Sequence, residues 1–577
     1  MAARRSIVVF IALLFVLGAA VLSIALASRD SNPAPRGPVV LVWDVPSELA
    51  ESAPPAASWT FESFRPQRPT VWNVVRALDH ASRDRSVEAL VLHIDGIGWG
   101  WGRVAEVREA LMRFRASGKR VYASLSHGGE REYLLASVAQ RIAVPPLGIV
   151  QLDGLSISAM FWRGAYDKLD IHPNFEHVGA YKSGVEPYTR NELSEPSRLA
   201  LEALLDDQYG LLTDSLAHAR RASPARIRAL IENGPYEAES AVATGLADTI
   251  LHGEDLDSLA TRTRGRRRGT MTFTRYLERV HGNDSGAPIA LILASGDLVE
   301  GRSRSVAFGS TLLGSETLIE ALRAAQRRSS VRAIVLRVDS PGGSPEAAEA
   351  VWHEIERVRR RKPVIVSMSD LAASGGYYLA CGADSIVAQS TTLTGSIGVY
   401  GGKLNILGLM QKLGLNVETL SRGANAQMLS PYKDFSPEEL VRYRAQLATI
   451  YRTFVSRVST GRNMSAADVD SVAQGRVWSG SRAVELGLVD ALGGFQRAFQ
   501  MARARAGLEP DDELVAEVFP QSRRSFLQSV LSDAMPESED ETALRMLLPA
   551  ELRDPQLLLS LTRGDIQARA PYTLEIR

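Results

Sequence analysis

The chain has 577 residues, 66 basic against 66 acidic, and one cysteine, Cys381. That length is too great for one hydrophobic core and suits two large α/β domains. Balanced charge gives nucleic acid no electrostatic footprint, and a lone cysteine excludes an internal disulfide, leaving Cys381 as a small buried apolar residue.

Arg4 and Arg5 precede an uncharged stretch, residues 7–27. As a helix its 21 residues span about 31 Å, matching a hydrocarbon core of about 30 Å. Residues 1–28 are therefore expected to be a single-pass membrane anchor; the rival reading is a cleaved signal peptide ending in the small-x-small triplet Ala25-Leu-Ala27. The positive-inside rule then puts the bulk of the chain on the periplasmic or otherwise extracytoplasmic side, although Arg29 and Arg36 weaken the asymmetry. Residues 29–38, rich in proline, read as an extended tether.

From there the chain says nearly the same thing twice. Val87-Glu-Ala-Leu-Val-Leu-His-Ile-Asp95 returns as Val331-Arg-Ala-Ile-Val-Leu-Arg-Val-Asp339, and Gly179 to Tyr188 aligns with Gly423 to Tyr432. The offset is common: 339 minus 95 and 432 minus 188 are each 244. Apolar strands alternate with helical stretches in both copies, predicting mostly parallel sheets covered on both faces. The first repeat is placed at 39–260, a basic solvated linker at 261–285, the second repeat at 286–500, and an extension without a counterpart, of no assigned role, at 501–577.

Within the register, the first copy has Lys182 where the second has Ala426. The second has Ser374 where the first has Gly129, allowing one residue of slippage. Ser374, in Ala-Ala-Ser-Gly-Gly-Tyr, follows a buried strand and opens a helix, the setting of a nucleophile; alone, it would read as an N-cap. Asp339-Ser-Pro-Gly-Gly343 ends the preceding strand, where Gly343, with Gly375, can offer the two amides of an oxyanion hole. Alone, that segment reads as a tight turn, with Asp339 orienting it. A serine needs a base, no histidine follows His353, and His353 itself reads as a surface or packing residue. A neutral lysine is the substitute, and Lys182 lies in an unusually uncharged neighbourhood.

At these residues the chain resembles the signal peptide peptidase A family in its long, membrane-anchored, two-repeat form, whose fold is similar to those of Clp protease and the crotonases. The quoted motifs are Ala-Ser-Gly-Gly-Tyr, Tyr-Lys-Ser and Leu393-Thr-Gly-Ser-Ile-Gly398. The resemblance covers nearly everything from the anchor to about Gly494. It implies Ser374 as nucleophile, Lys182 as general base, Ser396 as the residue orienting the lysine, peptide substrates left in the membrane by signal-peptide cleavage, and a homotetramer. No metal or cofactor is expected, since no cluster of ligating side chains has suitable spacing. Two other readings are a crotonase-like acyl-CoA enzyme, which the anchor disfavours, and a catalytically silent membrane scaffold, which the retained serine and lysine disfavour.

Overall fold

The computed structural model describes residues 37–53, 69–263, 266–280, 284–305 and 311–520, together with the backbone of 568–569. The expected anchor and most of the tether lie outside these residues. No helix among the described residues is long and apolar enough to cross a membrane.

The first repeat begins with β1 (Val39–Asp44), α1 (Val71–Arg83), β2 (Val87–Ile94), α2 (Trp101–Ala116) and β3 (Arg120–Leu125). It continues through α3 (Glu130–Ala136), β4 (Arg141–Val144), α4 (Arg163–Leu169), β5 (His172–Val178) and α5 (Glu195–Arg220). It closes with β6 (Thr249–Ile250), α6 (Gly253–Thr261), β7 (Gly269–Thr272) and α7 (Phe273–Val280). Its main sheet runs β7-β1-β2-β3-β4-β6, parallel throughout. The apolar strands lack period-two alternation because helices cover both faces. Thr70 and Asn73 start α1 with a reciprocal capping box.

The second repeat follows the same course through β8 (Ile289–Ser295), α8 (Ser315–Arg327), β9 (Ala333–Ser340), β10 (Gly342–Gly343), α9 (Pro345–Arg359) and β11 (Val364–Ala373). Next come α10 (Gly375–Ala380), β12 (Ser385–Ala388), β13 (Leu393–Gly395), β14 (Val399–Asn405), α11 (Leu407–Lys412) and α12 (Pro437–Arg462). The last elements are β15 (Val477–Ser479), β16 (Ala491–Leu492), α13 (Phe495–Arg505) and β17 (Glu517–Phe519). The sheet order is β15-β13-β11-β9-β8-β17, with β12 joining β11 to β16. Only the β13–β15 pair is antiparallel among its described strands. A short tail strand, β18 (Ala568–Arg569), pairs antiparallel with β10.

Two sequence expectations are corrected here. Residues 269–280 are not linker: β7 is the edge strand beside β1, and Phe273 and Tyr276 of α7 are buried in the first core. Nor is the start of the extension without a counterpart. The run β16-α13-β17 repeats β6-α6-β7, and β17 lies parallel to β8 as β7 does to β1.

The repeats are fused rather than strung apart. Phe495 and Phe499 of α13 pack on Trp72 of α1, with ring centroids 5.2 and 5.4 Å away, and one core cluster draws residues from both sheets. Arg337 on β9, fully buried, donates to Glu51 at 2.5 Å and to Glu106 on α2 at 2.9 Å; Glu106 also accepts the Phe495 amide at 3.0 Å. Beside it, Asp370 on β11 pairs with Arg103 and accepts the Arg103 backbone amide at 2.7 Å, capping the start of α2 from the other repeat. Here Gly100 is required, since a Cβ would come within 2.2 Å of the Asp370 carboxyl.

Candidate active site

Ser374 joins β11 to α10 with φ +53° and ψ −116°, a conformation costly for a residue with a Cβ. Its amide donates to the Gly395 carbonyl at 2.8 Å, and its hydroxyl makes no capping bond to the helix it begins. The plain N-cap reading therefore gives way: the hydroxyl turns toward the other repeat.

The first repeat supplies what it meets. β5 pairs antiparallel with β14, Val178 opposite Val399 and His172 opposite Asn405, carrying the chain directly into Gly179-Ala-Tyr-Lys182. Beyond the ladder, the Tyr181 amide donates to the Gln474 carbonyl at 2.8 Å and the Gly475 amide to the Ile397 carbonyl at 2.8 Å. Lys182 is fully buried between these segments. Its Nζ lies 2.8 Å from Ser374 Oγ, 2.9 Å from Ser396 Oγ and 2.9 Å from the Ser396 carbonyl oxygen, although Lys182 and Ser374 are 192 positions apart. Burial holds the ammonium well below the ordinary lysine range. A neutral amine suits this cage: two N–H groups donate to the two Ser396 oxygens, and the lone pair accepts the Ser374 hydroxyl proton.

Ser396 sits in the left-handed region at φ +50°, fixed by its amide donating to the Arg476 carbonyl at 2.7 Å. Gly375 opens α10 beside the serine. Gly343, in the left-handed region at φ +148°, packs so tightly on β-paired Leu298 that a Cβ would fall 2.0 Å from its carbonyl oxygen. Strand β10 lies against α10, so Gly343 and Gly375 border the same region. Asp339 ties the end of β9 to its neighbours rather than to the turn: its carboxyl accepts the Leu371 amide of β11 at 3.2 Å, while its carbonyl accepts the Gly296 amide after β8 at 3.0 Å. Burial pushes that carboxyl up to about 7; the Arg103 and Arg337 charges counter the rise, and Asp370 and Glu51 add to it. His353 is exposed on α9, and Cys381 is buried with its thiol pushed upward by desolvation.

The corresponding place in the first repeat is filled. Glu132 accepts the Ile97 amide at 2.6 Å and the Gly129 amide at 3.0 Å, so its own carboxylate occupies the cradle beside the missing serine. The one-residue slip lies inside the helix that follows. Tyr133 and Tyr377 both donate to the carbonyl of a leucine, Leu246 and Leu488, yet the first lies four residues after Gly129 and the second three after Ser374.

The sequence reading missed Gly398 and Gly475. A Cβ at Gly398 would lie 3.0 Å from Lys182 Cδ, and one at Gly475 only 2.5 Å from Lys182 Cβ. These glycines make the space in which the lysine is buried. The available signal was the Ile397-Gly398 pair beside Ser396 and the Gln-Gly-Arg run at 474–476, both of which look like ordinary turns.

Comparison with known proteins places the chain. The model of peptidase family S49 matches twice, at residues 113–264 and 356–509. Protease 4 of Haemophilus influenzae is 30% identical over 522 residues, covering 86% of this chain and 83% of that protein. The chloroplastic serine protease SPPA of Arabidopsis thaliana is 34% identical over 440 residues, 74% of this chain and 64% of its own length. A putative signal peptide peptidase SppA from Enterococcus faecium is 37% identical over 179 residues, 31% of this chain and 52% of that protein. The chain belongs to peptidase family S49, in a form carrying the family domain twice, and is a serine protease. The acyl-CoA and scaffold readings are thereby set aside.

Proposed function

We propose that the protein is a membrane-anchored endopeptidase with a Ser374/Lys182 dyad, cleaving apolar peptides such as signal-peptide remnants at the extracytoplasmic face of a bacterial inner membrane. The observation that carries this is the 2.8 Å approach of a fully buried lysine amine, whose pKa burial lowers, to a serine hydroxyl held in a strained turn. Neutral Lys182 takes the Ser374 proton as Oγ attacks the peptide carbonyl, and the amides of Gly343 and Gly375 receive the oxyanion. The resulting ammonium protonates the leaving amine, and the neutral lysine then activates a water to hydrolyse the ester. Ser396 fixes the amine through both of its oxygens.

The apolar run at 7–27 supports the membrane location, and the printed name of the Enterococcus relative supports the substrate class. The two α/β repeats with crossover helices support a Clp- or crotonase-like layout, and we extend the reading to a homotetramer.

The test compares wild type, Ser374→Ala and Lys182→Ala on an apolar peptide ester and a signal-peptide fragment in detergent. Both variants should lose at least about 10³-fold in kcat, and a serine-directed inhibitor should label Ser374 only when Lys182 is present. Full activity of Lys182→Ala at neutral and alkaline pH would remove the dyad.

A further inference from the structure

Gln474 divides its hydrogen bonds between the two repeats. Its acceptors serve the first: the backbone carbonyl takes the Tyr181 amide at 2.8 Å, and Oε1 takes the Ala180 amide at 3.4 Å. Its donors stay within the second. Nε2 donates to Asp470 Oδ1 at 2.7 Å and to the Tyr451 hydroxyl at 3.2 Å, and the Gln474 amide reaches that hydroxyl at 3.4 Å. Tyr451, buried on α12, closes the triangle by donating to the same Asp470 oxygen at 2.5 Å. Asp470 itself stands in the last turn of the short helix Ala466–Val472.

This triangle imposes a backbone that glutamine disfavours. Gln474 is left-handed at φ 53°, directly before Gly475 at 80°, a placement that persists only where surrounding contacts over-determine it. The chain leading to Lys182 rests on it closely: a Cβ on Gly179 would fall 2.4 Å from the Gln474 carbonyl carbon. Residues 179–181 thus lie on Gln474, and Lys182 lies on Gly475.

The first repeat has no base to receive at this place, and it lacks the triangle. Here the two copies are 242 residues apart: Ser223 and Ser465 both cap a helix, Arg221 and Asn463 are both left-handed, and 465 minus 223 and 463 minus 221 are each 242. On that register Tyr451 answers to Tyr209, but Asp470 answers to Arg228 and Gln474 to Glu232. An arginine offers no acceptor and an ionised glutamate no donor, so the same bonds cannot form there.

We propose that Gln474, fixed by Tyr451 and Asp470, is a positioning residue for the base: by holding the Tyr181 peptide it sets where the Lys182 amine stands against Ser374. The inference rests on the dyad reading above.

The experiment uses the full-length protein in detergent and the apolar peptide ester. Asp470→Ala removes the acceptor shared by both donors, and Gln474→Gly removes the side chain while relieving the left-handed backbone. Each should lower kcat about 10- to 100-fold, the effect of a displaced reacting group, with KM within about 2-fold of wild type. The acid limb of kcat/KM should move to higher pH, because a displaced amine gains water and burial depresses it less. Asp470→Asn keeps the acceptor oxygen without the charge and should return kcat to within about 3-fold of wild type. Tyr451→Phe deletes one hydroxyl and carries the test if Asp470→Ala does not fold; it should show the same shift of the limb. Wild-type kcat and acid limb in Gln474→Gly and Asp470→Ala overturn the positioning role, as does lost rate with an unmoved limb and no recovery in Asp470→Asn. If Lys182→Ala is inactive, the dyad survives either result, whereas an active Lys182→Ala overturns both.

Discussion

Gly475 and Lys182 are in contact across the repeat boundary, and a methyl group at Gly475 would stand 2.5 Å from the lysine Cβ. With φ at +80°, that glycine sits where only a residue without a side chain is comfortable. Gly475→Ala should therefore displace Lys182 without unfolding either core. A shift of about 1 Å at a reacting group costs on the order of 10²-fold in kcat. Steady-state kinetics beside a circular dichroism spectrum check this, and near-wild-type kcat would show that the site tolerates the movement.

The proposed dyad makes Lys182 the group that sets the pH response. Burial lowers its pKa from the ordinary 10.5, so kcat/KM should rise along one acid limb and level off well below pH 10.5. The sign for stability is the same. A lysine whose folded pKa is depressed binds fewer protons folded than unfolded, so stability grows as pH rises from the folded value toward 10.5 and is lost in acid. Lys182→Met should flatten that slope in denaturant titrations across pH.

Ser396→Ala removes one of the three hydrogen bonds to the amine and spares the backbone carbonyl. With one such bond worth about 1 kcal/mol, kcat should fall about 5- to 10-fold. The acid limb of the profile should move as well, which a loss of packing alone would not cause.

Arg337 pairs with both Glu51 and Glu106 in a fully buried site shared by the two repeats. Arg337→Ala strands both carboxylates and should cost about 3–5 kcal/mol in urea unfolding. Activity should fall with it, since the same contact holds Lys182's repeat against Ser374's.

Asp339 titrates in the opposite sense from Lys182. Its folded pKa is raised from 3.8 to about 7, so the native state holds more protons than the unfolded chain between those values. Stability contributed by the protonated carboxyl is present at low pH and is lost as pH climbs toward 7, then stays level. Asp339→Asn should remove that decline, measured as the urea midpoint from pH 4 to 8.

The sequence pattern revealed the duplication, the parallel strands and the division of Ser374 and Lys182, because each left a local trace: apolar runs, a fixed offset, a glycine-flanked serine. Short edge strands leave none. β7 and β17 have four and three residues, too few for a period to register, and β7 stood next to a run of arginines that resembled a linker. Partners far apart in sequence were equally hidden. Nothing near Arg337 points to Glu51, 286 residues away, and nothing near Gly475 points to the lysine it accommodates. The repeat singled out Lys182, which the fold brings beside Ser374, because it compared two copies of one backbone and so carried distant geometry in a local alignment.

The antiparallel ladder between β5 and β14 sets an order of events during synthesis. The first repeat emerges first, carrying a lysine whose low-dielectric cage is built from Ile397, Gly398, Ser396 and Gly475 of the later half. Until those residues arrive, that lysine is an ordinary solvated cation and there is no nucleophile for it to serve. Under the proposed dyad, the half made first holds a base without its nucleophile, so proteolytic competence waits on the docking of the second half onto the first.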